Sequence, residues 1–234
     1  MIDGGLPTLP SQILSFSNWK LTLPIDADGG TAGVAAEVTQ PALAGFIISP
    51  WFTLNAQRTA VAFRAPHVGA TTSGSDNARS ELREMQDGTN GTMPAAWSST
   101  QGSHSLWIKQ AVTHLTNTKP QVVAGEIHDA NDDLTAFRLE GTNLYISDGN
   151  TSHGKLLTSS YALGTVFTVK LIVSGGVITY EFNEQPVAGY QQNKSGTGWY
   201  FKFGDYTQSN PLTATDDPNA YAEVVVYDFK VIHQ

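Results

Sequence analysis

Along much of this chain apolar and polar residues alternate with a period of two, the signature of a strand with one buried face. The clearest case is "TVFTVKLIVSGGVITYEFNEQPV". Val166, Thr168, Lys170 and Ile172 fall on one side, Phe167, Val169, Leu171 and Val173 on the other, and Ser174-Gly175-Gly176 supplies the turn of a hairpin. "LTAFRLEGTNLYISDG" predicts a second hairpin around Glu140-Gly141-Thr142-Asn143. "TAVAFRAPHV" alternates clearly and "HSLWIKQAVTHL" less cleanly; "FIISPWFTLN" and the closing "AYAEVVVYDFKVIHQ" also predict strands. The polar stretch from Asp26 to Ala36 predicts a loop. No long stripe at the helical period, capped at both ends, is present. The expected fold is all-β: one jelly-roll sandwich of two antiparallel sheets over residues 15–234, preceded by an N-terminal arm over 1–14. If such a protein holds a polymer, one sheet face must stay open.

Composition narrows the partners. Only 15% of the 234 residues are charged and the formal net charge is −8, which argues against nucleic acid or an anionic membrane as partner. It also makes any local cluster of Arg, Lys and His more informative. With no cysteine, disulfides, zinc-thiolate sites and a thiol nucleophile are excluded. No apolar run approaches the length of a membrane span. The opening "MIDGGLPTLPSQIL" lacks the basic start and apolar stretch of a secretory signal. That leaves a cytosolic protein or a mature form with an added Met; a secreted or periplasmic mature form, acting as a monomer, is the expectation.

Strand alternation lays out three polar rows. In "ARSELRE", Arg79, Glu81 and Arg83 share a face, with Ser80, Leu82 and Glu84 behind them. In "VVAGEIHDA", Glu126 and His128 share a face and Ile127 lies on the other. In "WYFKFGDYTQ", Tyr200, Lys202, Gly204, Tyr206 and Gln208 share a face, with Phe201 and Phe203 in the core. Each row also has a bland reading, as a solvated ladder of ion pairs, a structural histidine or an ordinary half-exposed strand. If the three strands are neighbours, the rows merge into one patch of cations, carboxylates and phenols.

"RSELRE", "EIH" and "YFKFGDYTQ", in that order, resemble the three signature motifs of the alginate lyases of polysaccharide lyase family 7, R-(S/T)-E-L-R, Q-(I/V)-H and Y-F-K-A-G-x-Y-x-Q. "WKLTLPI" and the terminal "YDFKVIHQ" extend the resemblance over nearly the whole chain. The resemblance implies a jelly roll with a concave groove for an anionic polysaccharide, cleaved by β-elimination with no metal or organic cofactor. It implies that Arg79 binds the substrate carboxylate, that His128 is the base, and that Tyr206 protonates the leaving oxygen and for some substrates also acts as base. Lys202, Gln208, Arg83 and Tyr200 are then expected along the groove as substrate-binding residues. Glu81 is grouped with them, as the residue that orients the arginines.

Two departures stand out. Glu126 replaces the family's glutamine and Phe203 its alanine. An ionised Glu126 would repel a uronate, so three readings are open: a protonated Glu126 that donates a hydrogen bond at the catalytic site, an ionised one paired with Arg79, or a changed substrate. The first is the expectation. Asp129 and Asp205 are expected to add negative charge near the site. "DANDDLTAFRLE" has carboxylates at calcium-loop spacing, but Leu134 stands where the glycine belongs, which favours an acidic turn at a strand end. The rivals to an endo-acting alginate lyase are a lyase for another polyuronate such as glucuronan, a non-catalytic glycan-binding module, and a structural β-sandwich. In the family, isoleucine at the position of Ile127 leans towards guluronate-containing blocks.

Overall fold

The computed structural model describes residues 5–149 and 151–234. In chain order its strands are β1 (Trp19–Thr22), β2 (Glu37–Val38), β3 (Phe52–Leu54), β4 (Val61–Pro66), β5 (Arg79–Glu84), β6 (Ser103–His114), β7 (Gln121–His128) and β8 (Asp133–Glu140). They continue with β9 (Asn143–Asp148), β10 (Thr151–Thr158), β11 (Phe167–Ser174), β12 (Val177–Phe182), β13 (Gln185–Pro186), β14 (Gln192–Asn193), β15 (Tyr200–Thr207) and β16 (Tyr221–His233). Helix is confined, among the described residues, to two short 3₁₀ turns, Pro10–Gln12 and Ala42–Gly45.

Two sheets pack face to face. The front sheet runs β10-β9-β8-β7-β15-β5-β1-β2 and the back sheet β13-β12-β11-β6-β16-β4-β3, with β14 paired to β12. All strand pairs are antiparallel, the connection pattern of a jelly roll. Both predicted hairpins form, β8–β9 and β11–β12, and in the second the inward set is Phe167, Val169, Leu171 and Val173. "FIISPWFTLN" departs from expectation: only Phe52–Leu54 is a strand, because Pro50 has no N–H to give a ladder and the chain turns there, Ile48 and Phe52 exchanging backbone hydrogen bonds at 2.8 Å. Leu14, assigned to the arm, is buried in the core.

The core lies between the sheets, behind the polar rows. Phe203 packs edge-on to Trp19 with ring centroids 4.8 Å apart, and against Phe63 at 6.3 Å and Phe229 at 4.6 Å. Burying one such ring contributes about 2–3 kcal/mol, so the odd-numbered half of β15 anchors the even-numbered half. Asp205 corrects the sequence expectation: it points into the core, where its Oδ2 accepts the N–H of Ala65 in β4 at 2.9 Å. Burial pushes its carboxyl well above the ordinary range, so it brings no charge to the open face.

Polar ties cross behind the floor as well. Gln110 Nε2 in β6 donates to Ala124 O in β7 at 2.8 Å. Glu84 Oε2 accepts from Phe201 N at 2.9 Å and from Trp97 Nε1 at 3.0 Å, while its Oε1 meets His233 Nε2.

Candidate active site

β7, β15 and β5 are adjacent in the front sheet, so the three motif rows meet. Tyr206 pairs with Arg79, Gly204 with Glu81 and Lys202 with Arg83 across β15–β5. On the other side Lys202 pairs with Glu126 and Tyr200 with His128.

Two glycines make that registry possible. Gly125 (φ +143°) lies in a bulge where two residues of β7, Ala124 and Gly125, oppose Phe137 alone in β8. The extra residue changes parity, so that Val123 pairs with Tyr206 and Arg138 while Glu126 pairs with Lys202. Strict alternation cannot keep both ends of β7 on one face; the bulge does. Gly204 (φ +134°) crosses β5 so closely that a Cβ would lie 2.5 Å from Ser80 O.

The buried floor is a chain of alternating charge. Arg79 Nη1 donates to Glu81 Oε2 at 3.2 Å, Lys202 Nζ contacts the same oxygen at 2.9 Å, and Lys202 Nζ reaches Glu126 Oε1 at 2.7 Å. Burial alone would push Glu81 up, but Lys202 and Arg79 pull it below the usual carboxylate range. Burial also works against charge on Lys202 and Arg79, and their carboxylate neighbours outweigh it, Glu126 first for Lys202 and Glu81 first for Arg79. The structure thus gives Glu126 a partner in Lys202, which none of the sequence readings named. Glu81 lies beneath the groove lining and orients one arginine and one lysine rather than two arginines.

Above this floor stand the groups with chemistry to spare. Arg79 lays its guanidinium 3.8 Å from the Tyr206 ring centroid and keeps a buried Nε with no partner among the described residues. Arg83 lies over Tyr200 at 3.9 Å. His128 stacks on Tyr200 and directs Nδ1 at Asp129 O (2.5 Å) and Tyr200 Oη (3.0 Å). A carbonyl only accepts, so Nδ1 carries the proton and the neutral ring keeps its lone pair on Nε2, the arrangement of a base. Around these groups the groove is bordered by Lys20, Glu37, the Thr72–Ser75 segment and the 130–133 segment.

Gln208 stands apart from this pocket. It follows β15, and its Oε1 accepts from Arg138 Nη1 at 2.8 Å, while Arg138 Nη2 and Nε reach Gln121 and Glu140. Asp129 forms the expected acidic turn, its Oδ1 taking the N–H groups of Asn131 and Asp132 before β8 begins.

The alginate lyase family profile matches residues 14–233, nearly the whole chain. The chain belongs to polysaccharide lyase family 7. It is similar to the alginate lyase AlgAT5 of that family, at 43% identity and a TM-score of 0.90 over 97% of this chain and 100% of the other. A Corynebacterium sp. alginate lyase matches at 43% identity and a TM-score of 0.91, over 98% and 100%. The family 7 alginate lyase A1-II′, in a complex with substrate, shares the fold at 22% identity and a TM-score of 0.78, over 97% of each chain. Comparison with curated proteins finds no match. The lyase is therefore an alginate-cleaving enzyme on a jelly roll, as the resemblance implied.

Three features of the lyase's groove escaped the sequence. Arg138 was legible as the outward residue of "AFRLE". Asp133 borders the groove beside His128 and is pushed up to about 7 by burial and by Glu126 and Asp132. Ser75 lies in a loop whose pattern carries no signal.

Proposed function

We propose that the lyase cleaves within alginate chains by β-elimination, with Arg79, His128 and Tyr206 at the reacting sugar. The observation that carries this is the single pocket holding a buried, unsatisfied Arg79 Nε, a His128 whose Nδ1 is already committed, and the Tyr206 hydroxyl. Arg79 donates to the uronate carboxylate as charge grows on it. His128 Nε2 takes the C5 proton, a C4–C5 double bond forms, the C4–O4 bond breaks, and Tyr206 gives its proton to O4. Lys202 and Glu81 hold Arg79 in place, and Arg83, Tyr200 and Gln208 extend the binding surface.

Endo action is supported by polar floor on both sides of this centre, with Lys20 and Glu37 beyond β5 and Arg138, Glu140 and His153 beyond β7. A polymer this large does not enter cells intact, which supports a secreted or periplasmic monomer whose groove is built from one chain.

The test follows unsaturated-uronate absorbance on alginate, polymannuronate, polyguluronate and glucuronan, with His128→Ala and Tyr206→Phe alongside. A rising signal on alginate, lost in both variants, with a fast fall in viscosity, is expected. Activity surviving in either variant removes that residue's role, and single-sugar release without a viscosity fall removes endo action.

A further inference from the structure

The Oη of Tyr206 lies 3.0 Å from Ser75 Oγ, its one hydrogen-bond partner among the described residues. Ser75 belongs to none of the three strand motifs; it sits in the loop between β4 and β5, at the groove border. Its Oγ accepts the N–H of Asn77 at 3.2 Å, which leaves its own proton for Tyr206 Oη or, at 3.3 Å, for Asn77 O. The loop is tied down where it matters. Asn77 Oδ1 accepts from Asn210 Nδ2 at 2.6 Å, and Asn210 is buried just past the strand that carries Tyr206.

We infer that Ser75 is a positioning residue for Tyr206: it holds the phenol oxygen in place and donates a hydrogen bond to it once the tyrosine has surrendered its proton. This rests on Tyr206 as the acid of the elimination. In that step the Tyr206 O–H bond breaks as the leaving oxygen takes the proton, and the Ser75 hydroxyl turns from Asn77 O to the phenolate. Ser75 keeps its own proton throughout. The charged groups facing Tyr206 are Arg79 from β5 and Lys202 from its own strand, 5.9 Å from the ring centroid; β7 presents the apolar Val123 at this register. Both cations act on the ring, so Ser75 is the group that addresses the oxygen.

Ser75→Ala, Ser75→Thr and Tyr206→Phe are compared by kcat and KM on alginate across pH. A hydrogen bond to a charged group corresponds to about ten-fold or more in rate. Ser75→Ala is therefore expected to lower kcat about ten-fold with KM nearly unchanged, and to move the alkaline limb of kcat to higher pH, while Ser75→Thr restores both. Parental kcat and pH profile in Ser75→Ala overturn the inference. So does a loss of kcat that leaves the limb in place or that threonine does not repair, since a merely structural role would give that pattern. Activity retained by Tyr206→Phe is a separate failure, of the acid assignment itself.

Discussion

Lys202 Nζ sits 2.7 Å from Glu126 Oε1 and 2.9 Å from Glu81 Oε2, one ammonium shared by two buried carboxylates. The buried ladder of Arg79, Glu81, Lys202 and Glu126 is therefore balanced in charge. A substrate carboxylate meets a floor whose lysine is already neutralised, where Arg79 keeps an Nε with no hydrogen-bond partner among the described residues and Arg83 lines the same groove. Glu126→Gln adds one net positive charge to this floor. It is expected to lower KM for alginate several-fold at low ionic strength, with the gain shrinking as salt rises. Initial rates at two salt concentrations decide it; an unchanged KM in both would mean that Glu126 does not weigh on binding.

Arg79→Lys tests the planar fork. A lysine cannot reach Glu81, stack on Tyr206 and hold a carboxylate at once. A fall in kcat/KM of about 10²-fold or more is expected, with the melting temperature lowered only modestly. Parental kcat/KM would place carboxylate binding elsewhere.

Asp133 supplies the pH dependence. Its folded-state value of about 7 stands above the 3.8 of a free aspartate, so the folded protein binds more protons than the unfolded chain between those values. Stability from this group is present at low pH and declines as pH rises towards 7. Asp133→Asn removes the penalty and is expected to stabilise the protein by about 1 kcal/mol or more at pH 8, and little at pH 4. Denaturant melts at the two pH values test this; equal gains at both would contradict it.

Gly204→Ala should damage fold and activity together. The added methyl meets Ser80 O at 2.5 Å, and the backbone φ of +134° is costly for any side chain. A loss of about 2 kcal/mol or more is expected, read as a lower denaturation midpoint.

Most of the architecture was legible because alternation is a local property. The two hairpins, the inward Phe201 and Phe203, and the outward rows of β5 and β15 follow from residues two apart. The adjacency of β7, β15 and β5 did not follow from alternation, since it depends on contacts distant in sequence; at the level of sequence it stands as an assumption. Asp205 was misplaced for an instructive reason. Charge argues for exposure, but in β15 an odd position points inwards, and geometry prevails over composition once a backbone N–H is there to satisfy the carboxyl. The partner of Glu126 was missed because cross-strand pairing joins residues 76 apart in sequence. Ser75 and Asp133 act from segments bordering the groove, where no periodicity tells which side chains reach it.

The bulge at Gly125 carries a consequence for how this gene tolerates insertions and deletions. β7 behaves like a message with a phase. Removing one residue at Ala124-Gly125 would only strike out the spare letter and restore plain alternation, with Val123, Glu126 and His128 still read on the groove side, whereas removing Ile127 would leave His128 intact yet invert its meaning, sending it to the core. A single-codon deletion at the bulge is thus the one this strand can absorb, and a single-codon deletion between Glu126 and His128 would erase the enzyme although every catalytic side chain is still encoded.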